Sequence, residues 1–284
     1  MGKLLSALRG RWAGVYRRSS IQLILSLTFT AAAVAGMVFL GMSLFLRFSS
    51  ATNTQMAQTS QRILSQVNLN LDAYLRGMMR VSDAAYYQVI KGTDLGKEAL
   101  SQELELLYQS NRDHLVSIAV FTEEGRLEAA APLGRLKPGA TPQGEGWFSA
   151  AREQMENLHF STPHVQDLFV DPDHRYRWVV SLSRQVELTR WGAVEKGVLL
   201  VDMNYGGIEQ LCKDVDLGSG QGYLYLVDRD GEIIYHPRQQ LIYARLLEEN
   251  NQTAAGYADG SHNETFQGQR RQVTVKTVGY TGWK

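Results

Sequence analysis

Cysteine is almost absent from this chain of 284 residues, because Cys212 is the only one and no internal disulfide can form. An exported domain without disulfides is more typical of a bacterial envelope than of a eukaryotic secretory route. The chain contains none of the short motifs of serine hydrolases, zinc proteases, phosphate loops or dithiol redox enzymes. Its 29 basic and 29 acidic residues cancel, which argues against a nucleic-acid partner. These absences favour a binding module without metal or cofactor over an enzyme.

Charge is missing altogether from Ser19–Leu46. A helix of this length reaches roughly 40 Å at about 1.5 Å per residue, which exceeds the ~30 Å hydrocarbon core of a bilayer. We therefore predict a transmembrane helix over 19–47, after a tail over 1–18 that is basic and has no acidic residue. The positive-inside rule places that tail in the cytoplasm and the rest of the chain outside the bacterial cell membrane. The alternative is a cleaved signal peptide, which the length of the apolar run disfavours.

The next region, 48–112, has the apolar period of helices. Apolar residues recur every three or four positions from Ile63 to Ala85, which predicts a long exterior helix, and a second helix follows up to Asn111. The apolar stripe either packs on its own domain or pairs with a second copy of the chain. A homodimer is therefore predicted through four residues of the stripe near the membrane: Ile63, Val67, Leu71 and Tyr74.

Beyond residue 112 the period changes to that of strands, and one hairpin pattern occurs twice. Placing Gly231 on Gly125, an offset of 231 − 125 = 106 residues, aligns two apolar strands that each lead into a charged turn with glycine. This spacing predicts two similar units with antiparallel sheets, over 113–213 and 214–284. The predicted fold class is α+β: a transmembrane helix, a long exterior helix and two tandem units.

Several short segments in this order resemble the double Cache sensor domain, specifically that of YesM-type sensor histidine kinases: Gly146–Phe148, Ser181–Arg184, Gly197–Asp202, Gly222–Gly231 and Tyr280–Trp283. The resemblance implies that both units are PAS-like, with the first distal to the membrane. It also implies a final strand, a second anchor and a kinase module after Lys284, which this sequence does not contain. We therefore expect the ligand-sensing part of a two-component receptor, truncated in its second unit.

Two other functions stay open at this point. A methyl-accepting chemoreceptor can carry the same sensor domain, and a membrane-anchored binding protein would have no output module at all. The full-length protein would be an enzyme only if it is the two-component receptor, in which case it would be a histidine protein kinase.

The resemblance places a small-molecule ligand in the membrane-distal unit. There we expect the site to contain Trp147, His164, Gln166 and Asp202. Trp147 begins a helix after a glycine-rich loop, where its ring is either a wall of the site or part of the core. Asp202 ends an apolar strand, where its carboxylate either meets the ligand or caps the next helix.

The expected site departs from the pattern of family members that recognise free amino acids. Those members carry an arginine where this chain has Glu145, and a Tyr-x-Asp motif where it has His164-Val-Gln166. A glutamate in place of that arginine would repel the α-carboxylate of an amino acid. We therefore expect a sugar, an oligosaccharide or a peptide as ligand, or a binding lipoprotein as partner.

Overall fold

Helices and antiparallel strands build the described part of the chain, as the sequence predicts. The computed structural model describes residues 21–95, 100–132, 134–153, 158–171, 173, 176–213, 215, 217 and 222–284. The tail predicted over 1–18 lies outside the described residues. The chain divides after Gln58 into two compact units, Met1–Gln58 and Thr59–Lys284.

One continuous helix, α1 (Ile21–Ala84), covers both the predicted transmembrane helix and the predicted exterior helix. It ends in a π-helical segment, Ala85–Ile90. In the first unit its apolar side chains are exposed, as expected for a surface that faces lipid. Among the described residues, this is the one helix long and apolar enough to cross a membrane.

In the second unit, α1 directs its apolar stripe into the core of its own domain. Val67 and Leu71 are buried there, and Ile63 and Tyr74 pack against the same core. These four side chains are therefore not free to pair with a second protomer, and the predicted dimer seam is wrong. The reason is that the sheet of the same chain supplies the apolar partner that a lone amphipathic helix lacks. A homodimer stays a prediction that requires another surface.

An antiparallel sheet of six strands follows, in the order β2-β1-β6-β5-β3, with β4 also paired to β5. Its strands are β1 (Leu115–Thr122), β2 (Leu127–Ala131), β3 (His159–Phe160), β4 (His164–Val165), β5 (Trp178–Arg190) and β6 (Ala193–Asn204). Three helices flank them in the chain: α2 (Ser101–Asn111), α3 (Gly146–Glu153) and α4 (Tyr205–Lys213). The sequence predicts the last two strands, β5 and β6, over 177–186 and 197–203. The structure extends both, because the polar residues between them continue the pairing up to a tight turn at Trp191 and Gly192.

Both faces of this sheet are buried. Ile118 and Val120 of β1 lie on the face that shares a hydrophobic core with α1. Ala119 and Phe121 lie on the opposite face, in a second core that includes Trp147 of α3. A strand with two buried faces has a continuous apolar run and no alternation, which agrees with the sequence of β1. Polar residues inside such strands therefore need partners of their own.

Gly197 lies where β6 passes closest to its neighbours. A Cβ atom added there would lie 2.6 Å from the carbonyl oxygen of Phe121 and 2.5 Å from a methyl group of Leu188. We expect Gly197→Ala to lower the free energy of unfolding by about 1–3 kcal/mol, the range typical of overpacking. Gly256→Ala is the matched control, because that position has no atom within 4 Å of the added Cβ. Urea unfolding followed by tryptophan fluorescence measures both, and equal stability of the two variants would contradict the close approach.

The remainder of the chain forms hairpins and short helices. They are β7 (Leu226–Val227), β8 (Ile233–Tyr235), α5 (Gln239–Tyr243), α6 (Asn251–Gly256), β9 (Gly260–Phe266) and β10 (Gln269–Val275). The sequence pattern predicts one helix over 239–249. This prediction is wrong, because within that range the structure is α-helical only over Gln239–Tyr243. Val227 also exchanges two backbone hydrogen bonds of 2.8 Å with Lys284.

The two hairpins that suggested a repeat have the same register and turn. Phe121 pairs with Leu127 in the first hairpin, and Val227 pairs with Ile233 in the second, at the same offset of 106. The turn glycines of both have positive φ, 81° at Gly125 and 85° at Gly231. The repeated hairpin is thus confirmed. The boundaries 113–213 and 214–284 stay a prediction, because one hydrophobic core contains residues of both ranges.

Candidate functional site

A buried carboxylate lies between two serines on the face of the sheet opposite α1. Asp202 of β6 is paired in register with Ser117 of β1 and Ser181 of β5. The Ser117 hydroxyl donates to Oδ2 of Asp202 at 2.7 Å, and the Ser181 hydroxyl donates to Oδ1 at 2.5 Å. Both carboxylate oxygens are therefore satisfied although the residue is only 2 % exposed. Both hydrogen bonds run across the sheet. Among the described residues, the Asp202 side chain makes no hydrogen bond to the helix that follows it, so the predicted helix cap gains no support.

His164 joins this group from β4. Its Nε2 lies 3.3 Å from Oγ of Ser181, and its Nδ1 lies 3.0 Å from the carbonyl oxygen of Thr162. Ser181 thus contacts both His164 and Asp202. The structure brings two of the four predicted site residues together through a serine that the sequence analysis did not select.

The electrostatics of the site centre on Asp202. Burial raises the pKa of its carboxyl group, and this effect is opposed by the hydrogen bonds from Ser181 and Ser117 and by the nearby His164. The carboxylate of Glu145 acts in the same direction as burial and also raises the pKa of Asp202. A cation beside Asp202 would offset the effect of Glu145 and stabilise the ionised form of the Asp202 carboxyl group.

Trp147 lies in the aromatic cluster beside the polar group. Its ring centroid is 5.9 Å from that of Phe121 and 5.7 Å from that of Phe148. Its carbonyl oxygen accepts a hydrogen bond of 2.8 Å from the hydroxyl of Ser183, which lies two residues after Ser181 in β5. The ring is packed as a core residue is, and whether it also contacts a ligand stays a prediction.

Gln166 lies two positions after His164, and therefore on the same side of the extended chain. Its backbone N–H donates to the carbonyl oxygen of Arg177 at 2.9 Å, which continues the pairing of β4 with β5. Its side-chain Nε2 is buried and has no hydrogen-bond partner in the described chain. A buried donor without a partner is uncommon in folded proteins and is typical of a group that meets a ligand or ordered water.

Sequence reasoning missed the serines of the site: Ser117, Ser181 and Ser183. Ser117 and Ser181 carry a weak signal, because each interrupts an apolar run whose neighbouring residues are buried, whereas Ser183 is followed by Arg184 and carries none. Within the described ranges, no three histidine, cysteine, aspartate or glutamate side chains come together as metal ligands.

The raised pKa of Asp202 predicts a dependence of stability on pH. An exposed aspartate has a pKa of 3.8, so above that pH the folded chain keeps a proton that the unfolded chain has released. The free energy of unfolding then falls as the pH rises through the folded-state pKa. The stabilisation that this bound proton provides is fully present only below about pH 4. Asp202→Asn has no carboxyl group to titrate at this position. We therefore expect the free energy of unfolding of the variant to increase relative to that of the wild type between about pH 4 and pH 7. Melting curves of both proteins across this range measure the difference; a constant difference would contradict the buried carboxylate.

The described part of the chain thus contains a helix long and apolar enough to cross a membrane, and a sheet that carries a buried polar group. The family profile of the Cache domain matches residues 48–284. The chain therefore belongs to the Cache domain family of ligand-binding sensor domains. A comparison with curated proteins gave no match.

Solved structures of bacterial chemoreceptor domains have the same fold. The ligand-binding domain of the amino acid chemoreceptor PctC of Pseudomonas aeruginosa, in complex with GABA, is 19 % identical with a TM-score of 0.58, over 81 % of this chain and 97 % of that one. PctB of the same organism, in complex with L-Gln, is 16 % identical with a TM-score of 0.55, over 81 % and 86 %. CtaA of Pseudomonas fluorescens, in complex with L-serine, is 16 % identical with a TM-score of 0.53, over 80 % and 95 %. At these identities the likeness shows the fold.

Proposed function

We propose that this chain is the sensor region of a transmembrane receptor, and that its distal unit binds a small molecule through an ammonium group. The observation that carries the proposal is the buried carboxylate of Asp202, held by Ser117 and Ser181. A second carboxylate, Glu145, is close enough to raise its pKa. An ammonium group would pair with these charges, whereas a ligand carboxylate would be repelled by them.

The solved relatives are consistent with this chemistry. GABA, L-Gln and L-serine, the ligands of those three complexes, each carry an ammonium group. Each also carries a carboxylate, and the pair Glu145 and Asp202 disfavours one here. We therefore propose an amine without a nearby carboxylate, or the amino end of a short peptide. The sugar, oligosaccharide and lipoprotein predicted from the sequence stay alternative predictions for this site.

The test uses matched probes on the full chain in lipid nanodiscs. L-leucine methyl ester and pentylamine carry an ammonium group, L-leucine adds a free carboxylate, and 1-pentanol carries no charge. We expect saturable binding of the first two in isothermal titration calorimetry and much weaker binding of the others. The affinity of L-leucine methyl ester and pentylamine should rise with pH through the pKa of Asp202, because the ionised carboxylate is the binding form. Binding of L-leucine as tight as that of its ester would contradict the proposal.

The proposed receptor is a sensor histidine kinase of the YesM type, with the N-terminal tail in the cytoplasm and the sensor outside. The basic tail and the order of the sequence segments support this, while the solved relatives are chemoreceptor domains and support a chemoreceptor equally. In either receptor, the ligand must bind one arrangement of the sensor more tightly than another to produce a signal. Sequencing of the gene beyond the codon for Lys284 would distinguish the two, since a sensor kinase would encode a kinase module there and a chemoreceptor a methyl-accepting coiled coil.

A further inference from the structure

A second buried polar cluster lies in the part of the chain after residue 222. The side chain of Glu249 is only 2 % exposed. Its Oε1 accepts a hydrogen bond of 2.6 Å from the hydroxyl of Tyr223, and its Oε2 accepts one of 2.9 Å from Nη1 of Arg271. The carboxylate and the guanidinium compensate each other, so the cluster carries no net charge.

His236 belongs to this cluster and presents a free N–H group. Its side chain is 1 % exposed, and burial lowers the pKa of the imidazole, which keeps the ring neutral. Nδ1 accepts a hydrogen bond of 3.0 Å from the backbone N–H of Arg238, so the proton of the neutral ring is on Nε2. Nε2 lies 3.4 Å from Oε1 of Glu249, a long contact, and it has no other partner in the described chain.

Gln239 adds two more buried polar atoms on the next turn of the chain. Its backbone N–H donates to the carbonyl oxygen of His236 at 3.0 Å, which fixes the two residues next to each other. Neither Oε1 nor Nε2 of its side chain has a hydrogen-bond partner in the described chain. His236 and Gln239, three positions apart, thus have three buried polar atoms without a hydrogen-bond partner: Nε2 of His236 and both amide atoms of Gln239. Such atoms are costly in a folded domain, since each loses its hydrogen bonds to water.

Aromatic rings line the same cluster. The ring of His236 lies 5.4 Å from that of Tyr223 and 6.0 Å from that of Tyr225, between centroids. The two tyrosine rings are 6.3 Å apart. Tyr223 is 37 % exposed, so the cluster extends from the interior to the surface of the domain.

We propose that the cluster of Tyr223, Tyr225, His236, Gln239, Glu249 and Arg271 is a second ligand site, which takes a neutral sugar or polyol. Hydroxyl groups both donate and accept, so they satisfy the N–H of His236 and both atoms of the Gln239 amide together. Because Glu249 and Arg271 compensate each other, the cluster has no unpaired charge to attract an ion, which favours a neutral ligand. The aromatic rings supply a face for the C–H side of a sugar ring. This site is separate from the one at Asp202 and does not depend on it.

The test uses D-glucose, D-xylose and myo-inositol on the full chain in lipid nanodiscs, because detergents with sugar head groups would compete. We expect at least one of the three to bind saturably in calorimetry. Gln239→Leu keeps the size of the side chain and removes its polar atoms, so we expect about a tenfold loss of affinity, as for one or two lost hydrogen bonds. Gln240→Leu, at the next and exposed position, is the matched control and should bind like the wild type.

Two further variants separate the possible results. His236→Phe removes the free N–H but keeps an aromatic ring, and should weaken binding even if Gln239→Leu does not fold. Asp202→Asn should leave sugar binding unchanged. The inference is overturned if none of the three compounds binds, or if binding is equal in the wild type and both cluster variants. Loss of sugar binding in Asp202→Asn would instead place the sugar at the distal site and also overturn it.

Discussion

Asp202→Asn is expected to abolish the stabilisation of this protein by its amine ligand. A ligand at 100 times its dissociation constant stabilises a folded protein by about 2.7 kcal/mol, and the variant should show none of this. Asparagine has the shape of aspartate: its Oδ1 can accept a hydrogen bond from one of the two serines, and its amide N–H can donate to the hydroxyl oxygen of the other. It lacks the negative charge that an ammonium group requires. The melting temperature with and without L-leucine methyl ester measures the effect.

The variant has an internal test of folding. Because the wild type buries a charge at Asp202, the unliganded variant should melt at the same temperature or higher at neutral pH. Asp230→Asn, in an exposed turn, is the control and should keep the full shift. A shift that persists in Asp202→Asn would show that the ligand binds elsewhere. Trp147→Ala is less informative, since removal of that packed ring lowers stability in any case.

Phe121→Ala is expected to lower the free energy of unfolding by about 3–5 kcal/mol, the cost of removing a buried aromatic ring. Phe121 is fully buried, and its ring packs against those of Trp147, Phe148 and Phe169. The truncation would leave a cavity under α3, on the face of the sheet that holds Asp202. Urea unfolding of the full chain in nanodiscs, followed by tryptophan fluorescence, measures the loss.

The matched control is Tyr176→Ala, which removes an aromatic ring that is 87 % exposed. Its stability should lie within about 0.5 kcal/mol of the wild type, as is usual for surface positions. If Phe121→Ala were equally neutral, the aromatic cluster would not be a packed core, and the position of α3 above the site would be in doubt.

Elements with local signals could be predicted from the amino-acid pattern. The absence of charge over Ser19–Leu46 predicts a membrane helix, because length and hydropathy alone decide whether a segment can span a bilayer. The apolar run of β1 and the glycine turns at Gly125 and Gly231 predict the repeated hairpin, because strand period and turn conformation depend on neighbouring residues. The two short helices α5 and α6 show the limit, since helical propensity over a few residues does not decide where a helix ends.

The contacts between side chains, in contrast, depend on how the strands and helices are assembled. Ser117 and Asp202 are 85 positions apart and become neighbours because β6 lies between β1 and β5 in the sheet. The stripe of α1 has the same spacing whether it faces a second protomer or its own sheet, and the sheet is what covers it. The cluster around Glu249 has no sequence signal either, since its hydrogen bonds join Glu249 in a loop to Tyr223 and to Arg271 of β10, which are 26 and 22 positions away. Periodicity gives the side of an element that a residue occupies, whereas its partners across a sheet depend on strand order and register.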